Sequence, residues 1–352
     1  MRSVRPSSPS ARLLWLRWSW RDLRSHWVAV TAIALVMAIG IGVYAGLGST
    51  ATWRRASNDA SFGTLHMHDL RVTLSPGTFT DQGTLAEGVA AIDAADQITA
   101  AEERLVVDSQ LDASTDSEQI LVQSRVVGMD MGDANSGVDL LWVRDGRVAD
   151  TPAPATSAVL EAKFADAWDL PPEGAVVLAG NQPVNYAGLG AIPEDFLYEG
   201  PEGSIVSLGE LAPLYLPLAE AQSLLGRPGQ VNDLVLTLLD EADRAAVSSQ
   251  LETLARELGV SATVTTREDA EAVRLLYEDI ENDQRLWNAF AGMILVAAAL
   301  AAFNLISRIV EAQRREIGIG MALGVPRRRL AIRPLLVGIQ VALLGTIAGI
   351  GV

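Results

Sequence analysis

The chain has 352 residues, 49% of them hydrophobic, and 27 basic and 43 acidic residues give it a formal net charge of -16. A chain this acidic and this apolar must keep the two properties in separate segments. It contains no cysteine, which excludes a disulfide framework and a thiolate metal site.

Charge is unevenly distributed along the chain. Residues 1–26 carry six arginines against one acidic residue, and residues 308–352 carry seven arginines against two glutamates. The segment between them has 14 basic and 40 acidic residues. Each arginine cluster adjoins a long apolar run, which favours membrane topology over nucleic-acid binding as the explanation.

The N-terminal 26 residues predict an amphipathic segment on the cytoplasmic side. Tryptophan and leucine alternate with arginine there, as in helices that lie at a membrane surface, and an extended basic flank is the alternative. Trp27–Leu47 is an uncharged run of 21 residues, long enough to cross about 30 Å of hydrocarbon at about 1.5 Å per residue. It predicts a first transmembrane helix over 27–47. A cleaved signal peptide is the alternative, although its apolar region is normally about 7–15 residues.

Two further apolar runs predict transmembrane helices over 287–306 and 335–352. Arginine-rich sequence precedes the first span and fills the gap at 307–334, so the positive-inside rule places both segments in the cytoplasm. Residues 50–285 are then extracytoplasmic. The sequence therefore predicts a multi-pass protein of the cell (plasma) membrane that contacts lipid.

Small residues recur at every fourth position of the first span, a face that lets another helix approach closely. They are Ala34, Ala38, Gly42 and Gly46, with a similar pair, Gly345 and Gly349, in the third span. The general abundance of glycine and alanine in transmembrane helices is the alternative explanation.

Between the first two spans, residues 50–267 predict a mixed α/β domain in at least two parts. Strand patterns occur at 69–74, 98–107, 120–130, 175–178, 214–216, 234–238 and 262–265, and helical patterns at 82–94 and 240–258. The last helix begins with an acidic residue suited to capping, and with its flanking strands it forms a βαβ unit. The predicted fold class is α+β, with transmembrane helices and a large extracytoplasmic mixed α/β domain inserted between the first and second spans.

Residues 268–286 predict a stalk helix that enters the second span without a break, because no proline or other strong breaker intervenes. Its apolar residues, spaced three and four apart, are Val273, Leu276, Tyr277 and Ile280.

Few residues suggest catalysis or metal binding. His66 and His68 with Asp69 would share a strand face, but no third histidine is near, and a polar strand entrance explains them better than a metal site. The one lysine, Lys163, is followed by phenylalanine, whereas a phosphate-binding loop needs lysine followed by serine or threonine. No catalytic, cofactor-binding or metal-binding residue is predicted, and any ATP-driven work requires another polypeptide.

Residues 314–325 read Arg-Arg-Glu-Ile-Gly-Ile-Gly-Met-Ala-Leu-Gly-Val. By charge pattern alone, this segment is a short surface helix that docks into a partner, or an ordinary loop with positive-inside charges. It closely resembles the basic-Glu-Ile-Gly and Ala-Leu-Gly signature after the second span of MacB-type and FtsX-like ABC permeases. Met321 departs from the basic residue usual in that family. The family also has a fourth span, so the chain is expected to be a fragment or a truncated product.

The resemblance implies a non-catalytic permease subunit of an ABC transporter of the mechanotransmission type. A separate cytoplasmic ABC ATPase would use the ATP, a dimer of permeases would form, and the outside domain would move in export, lipoprotein or peptide handling, or envelope signalling. The ATPase-facing positions that it implies are Glu316, Gly318, Ala322, Leu323 and Gly324. The alternative is a membrane receptor with an extracytoplasmic sensory domain, which should continue into a soluble signalling domain rather than a third apolar run.

Overall fold

The computed structural model divides into two compact units. The sheet unit comprises Ala56–Glu278, and the helical unit comprises Met1–Arg55 with Asp279–Val352. The structure describes residues 20–21, 23–25, 27–115, 118–131, 137–146, 158–197 and 209–351. Most of the predicted amphipathic segment 1–26 lies outside these residues.

The helices, in chain order, are α1 Trp27–Thr64, α2 Thr84–Ala90, α3 Ala162–Ala167, α4 Leu218–Leu224, α5 Arg244–Glu257, α6 Glu271–Ala312, α7 Arg314–Ala322, α8 Arg327–Leu330 and α9 Ile332–Ile350. The strands are β1 Leu70–Leu74, β2 Thr80–Asp81, β3 Ile98–Asp112, β4 Leu121–Met129, β5 Trp142–Gly146, β6 Ala158–Glu161, β7 Gly174–Leu178, β8 Gln182–Ala191, β9 Leu211–Pro217, β10 Gln230–Val231, β11 Asp233–Leu238 and β12 Ala262–Thr266.

Within the described residues, the sheet has the strand order β12-β1-β11-β3-β4-β9-β6-β8-β5, with β7 paired to β3 and β8, while β2 and β10 form a separate pair. Strands β4 and β9 are parallel, as are β6 and β8. The predicted βαβ unit is present as β11, α5 and β12. Both strands run antiparallel to β1, which lies between them, so they are parallel to each other. The predicted α+β fold class is confirmed.

The two largest hydrophobic cores of the described residues lie along the sheet. One packs α2 and α5 against β1 and β11, and α5 contributes Val247 and Leu251 to it at helical spacing. The other gathers residues of β4, β6, β8 and β9 around Phe164 of α3. Strand β3 is long enough to pair with β11 at one end and with β4 at the other, which joins the two parts in one sheet.

Two predicted helix starts are wrong. Helix α6 begins at Glu271 rather than 268, because Thr266 and Asp269 form a capping box around a short 3₁₀ turn and Ala270 is extended. Helix α5 begins at Arg244 rather than 240, where Asp243 accepts a hydrogen bond from the Ala246 amide at 3.1 Å.

Helix α1 continues beyond the predicted span 27–47, as far as Thr64. Residues 48–64 are polar and have no apolar stripe, so their helix could not be predicted from periodicity. Contacts of α1 with the first half of α6, described below, stabilise this extension.

In the helical unit, α1, α6 and α9 pack around Val30, Ile33, Leu305, Ile309 and Val337. Among the described residues, α1 and α6 are long and apolar enough to cross a membrane by length and composition. The apolar part of α9, Leu335–Ile350, is shorter, so the third span stays a prediction.

The two small-residue faces meet each other. A Cβ atom at Gly345 would lie 2.7 Å from the Cβ of Met37 and 3.1 Å from the carbonyl oxygen of Ala34. A Cβ at Gly349 would lie 2.8 Å from the carbonyl oxygen of Ala38. The predicted close approach is therefore confirmed, except at Gly46, where an added Cβ would meet nothing within 4 Å.

Candidate functional site

The predicted ATPase-facing residues lie on α7 and the turn that ends it. The amide of Gly324 donates to the carbonyl of Met321 and the amide of Val325 donates to that of Gly320, both at 3.0 Å. This pair of bonds is the Schellman pattern of a helix end, and Gly324 has the left-handed φ of +81° that the pattern favours in glycine. The sequence Ala-Leu-Gly-Val therefore encodes a defined helix stop.

Apolar side chains of this segment are unusually exposed. Leu323 is 78% exposed, Ile319 55% and Met321 45%. Glu316 and Ala322 are exposed as well, and a Cβ at Gly318 would meet nothing within 4 Å. The structure thus brings the five predicted positions together on one short helix and its C-terminal turn.

Sequence reasoning missed the role of Gly320. A Cβ at this position would lie 3.1 Å from Leu330 of α8. The glycine therefore allows α8 to pack against α7, and the signal for it was the Gly-Ile-Gly spacing in the motif.

The predicted stalk residues are packed against the second half of α1. In the sheet unit, Val273, Leu276 and Tyr277 surround Phe62, which is 1% exposed. The hydroxyl of Tyr277 also donates a hydrogen bond to Asp59. The predicted apolar spacing therefore corresponds to a packed helix face, buried at Val273 and half-buried at Leu276 and Tyr277.

In the helical unit, Ile280 is 1% exposed and charged pairs continue the same two-helix contact. Arg54 of α1 donates to Asp279 at 2.5 Å and to Asp283 at 2.9 Å. Arg55 lies 3.3 Å from Glu281. The sequence had predicted a stalk of one helix, whereas α1 supplies a second.

A buried network of charged side chains lies in the sheet unit. Arg104 of β3 is completely buried, and its guanidinium contacts Asp233 at 2.8 Å, Glu194 at 2.9 Å and Asp139 at 3.1 Å. Arg71 of β1 contacts Asp233 and Glu194, each at 2.7 Å. Asp233 belongs to β11, whereas Asp139 and Glu194 lie in connecting segments. The two arginines therefore hold those connecting segments against the sheet.

His68 belongs to this network, which corrects its interpretation as part of a polar strand entrance. Its side chain is buried, with Nδ1 2.7 Å from Asp139, while His66 Nδ1 lies 3.2 Å from the carbonyl oxygen of Gly137. Asp69 instead accepts hydrogen bonds from Arg244 and from the amide of Leu238. The three residues therefore do not form one cluster.

His68, Asp139 and Glu194 are candidate metal ligands, because their donor atoms lie within 4.8 Å of one another. Arg104 Nη1 contacts both carboxylates of this group. The guanidinium therefore supplies the positive charge that a cation would bring. A metal ion would have to displace a fully buried arginine.

The pKa values of Asp233, in the network, and of Asp195, next to Glu194, are shifted in opposite directions. Burial alone would raise the pKa of Asp233, but the charges of Arg71 and Arg104 outweigh it and lower the pKa. Asp195 behaves differently, because burial and the charge of Glu194 raise its pKa to about 7, against the opposing effects of Arg125 and the hydroxyl of Tyr215.

Comparison with known proteins is most informative at the C-terminus. Residues 288–352 match the FtsX-like permease C-terminal family. These residues include α6 from residue 288 onward, all of α7 and α8, and α9. The resemblance seen in residues 314–325 is therefore confirmed by a match over the whole C-terminal region.

Several solved structures are similar to the chain at low identity, among them two domains of transporters. The periplasmic region of MacB from Actinobacillus actinomycetemcomitans is 14% identical, with 63% of this chain and 96% of that one covered and a TM-score of 0.39. The extracellular domain of the ABC-type transporter YknZ from Gram-positive bacteria is 14% identical, with 56% and 98% covered and a TM-score of 0.36. No curated protein matches the sequence.

The family match agrees with the apolar helices of the chain. Helices α1 and α6 have the length and composition of membrane-crossing helices, and the mixed α/β domain is inserted between them. Residues 288–352 of this chain are similar to the FtsX-like permease C-terminal family.

Proposed function

We propose that this chain is the permease subunit of an ABC transporter of the mechanotransmission type. The observation that carries the proposal is the FtsX-like match at residues 288–352, which contains the exposed segment around Leu323. Exposed apolar side chains on a short helix are suited to docking in a groove of a partner protein. The partner that we infer is a separate cytoplasmic ABC ATPase.

The mechanism that we infer uses α6 as the moving part. When the ATPase changes shape with ATP binding and hydrolysis, it displaces α7, which begins two residues after α6 ends. Helix α6 is continuous from Glu271 to Ala312, so an axial or lateral displacement passes along it to the stalk. The domain outside the membrane then changes position, and no substrate needs to pass through this chain. Two permease subunits would close around one ATPase dimer.

The ATPase contact is tested by co-purification from the native host with the tagged full chain. Leu323→Ala and Glu316→Ala should each reduce recovery of a P-loop ATPase by tenfold or more. Because Leu323 is 78% exposed, its truncation removes little packing within the chain. Glu311→Ala, an exposed acidic residue near the end of α6, is the matched control and should leave recovery unchanged. Recovery of no ATPase with the unmodified chain would exclude the permease assignment and favour a receptor.

The proposed topology is tested with single cysteines, which the chain otherwise lacks. Asp108, whose side chain is 79% exposed, is replaced by cysteine in the sheet unit, and the exposed Arg315 is replaced in α7. A membrane-impermeant maleimide added to intact cells should label D108C and spare R315C. Labelling of R315C alone would reverse the proposed orientation.

A further inference from the structure

A short turn in the sheet unit contacts the stalk and the sheet at the same time. The 3₁₀ turn Pro193–Asp195 follows β8, and Phe196 comes directly after it. The ring of Phe196 stacks on that of Phe62 of α1, with centroids 5.9 Å apart and an interplanar angle of 22°. The turn is therefore held against the stalk by an aromatic pair.

The two residues before Phe196 bind side chains of the sheet. Glu194 accepts from Arg71 of β1 at 2.7 Å and from Arg104 of β3 at 2.9 Å. Asp195 accepts from the hydroxyl of Tyr215 of β9 at 2.7 Å. Strand β1 belongs to one core and β9 to the other, so three consecutive side chains contact the stalk and both parts of the domain.

The stalk side of this contact is tightly packed. Phe62 is 1% exposed and also contacts Met67 and Val273, while the guanidinium of Arg267 lies 5.1 Å from its ring centroid. A displaced Phe62 cannot move into empty space, because packed interiors transmit displacement to their neighbours. The buried ion pairs of Glu194 also resist separation, since each separated charge would be left without its partner.

We propose that the turn Pro193–Phe196 is the joint through which motion of the stalk reaches both parts of the sheet, with Glu194, Asp195 and Phe196 as positioning residues. This inference rests on the proposed function. The turn suits this role because, within four residues, it contacts the stalk through Phe196 and strands of the sheet through Glu194 and Asp195. The turn acts in the transmission of motion and has no role in ATP hydrolysis by the partner.

The test is hydrogen exchange of the full chain, co-purified with its ATPase in nanodiscs, in ADP and in ATP with vanadate. In the unmodified chain, exchange should change between the two states in the stalk segments 56–64 and 271–278 and in strands β1 and β9. In F196A the stalk change should persist, and the change in the two strands should fall by at least half. F196Y, which keeps the aromatic stack, should restore it, and truncation of the exposed Leu121 to alanine should have no effect.

Each outcome bears on a different part of the inference. Equal strand changes in F196A and the unmodified chain would overturn the joint and leave the proposed function intact. No nucleotide-dependent change in the stalk of the unmodified chain would overturn both. Should F196A not fold, E194Q serves as the second variant, because Asp233 and Asp139 still neutralise the two arginines. It should likewise reduce the change in β1.

Discussion

The carbonyl oxygen of Ala38 lies 2.8 Å from the position that a Cβ atom at Gly349 would occupy. Helices α1 and α9 therefore approach backbone to backbone at this point. Gly345, one helical turn away, is equally confined by Met37 and Ala34. Small residues at these positions are what a close helix contact in a membrane requires.

We expect Gly345→Val to separate α1 from α9 and to destabilise the helical unit by about 1–3 kcal/mol, as is typical of overpacked sites. The measurement is the thermal unfolding midpoint of the full chain in detergent. Gly318→Val is the matched control, because an added Cβ there meets nothing within 4 Å. Equal midpoints for G345V and G318V would show that the α1–α9 contact is not close in the membrane protein.

Removal of the positive charge of Arg104 should strongly destabilise the sheet unit. Arg104→Met would leave Asp139 buried with His68 but no arginine, and Asp233 and Glu194 with Arg71 alone. Removal of one partner of a buried ion pair costs about 3–5 kcal/mol. We expect a large drop in folded yield and in the unfolding midpoint. Arg144→Met is the control, because Arg144 pairs with exposed carboxylates of Asp145 and Asp166. An unfolding midpoint of R104M equal to that of R144M would contradict a stabilising role for the network.

The stability of the sheet unit should fall as pH rises toward neutrality. The pKa of Asp195 is raised from 3.8 to about 7 in the folded protein, so between about pH 4 and 7 the folded state holds a proton that the unfolded chain has released. The free energy of unfolding therefore decreases over this window, by at most about 4 kcal/mol from this group, since one pKa unit corresponds to about 1.4 kcal/mol.

Asp195→Asn isolates this contribution. Asparagine resembles the neutral carboxyl group and still offers an oxygen to Tyr215, so the variant should lose less stability than the unmodified chain between pH 5 and pH 8. Unfolding followed by tryptophan fluorescence at the two pH values measures it. Parallel pH profiles for the two proteins would assign the slope to other buried carboxyl groups, such as Glu161, whose pKa burial also raises.

Local pattern was sufficient for much of the fold. The unit β11–α5–β12 was predicted because its strands are short apolar runs and its helix has a continuous apolar stripe. The paired small residues of α1 and α9 were visible as a four-residue spacing. In each case the residues that determine the element are close together in sequence.

The charged network could not be predicted, because its residues are far apart in sequence. Arg104 follows two glutamates in a strand and resembles an exposed charged residue, yet its partners Asp233 and Asp139 lie 129 and 35 residues away along the chain. Only the tertiary fold shows that they meet. The extension of α1 was missed on similar grounds, because its polar residues are held by Asp279 and Asp283 of another helix.

The stalk gives the most direct test of the proposed mechanism. Leu276→Pro places proline at the sixth residue of α6, where it removes a backbone hydrogen bond and clashes with the preceding turn, at a cost of about 3 kcal/mol or more. We expect membrane insertion and ATP hydrolysis by the co-purified ATPase to stay within about twofold of normal. The nucleotide-dependent change in hydrogen exchange of β1 and β9 should be lost. Tyr277→Pro should behave in the same way.

Glu271→Pro is the matched control for the proline itself. Glu271 is the first residue of α6, a position that suits the fixed φ of proline. The preceding Ala270 is already extended, with φ -60° and ψ 130°, as a residue before proline prefers. E271P should therefore retain the exchange change that L276P loses. If L276P retains it as well, α6 does not need to be straight through the stalk, and displacement must reach the sheet unit through α1 instead.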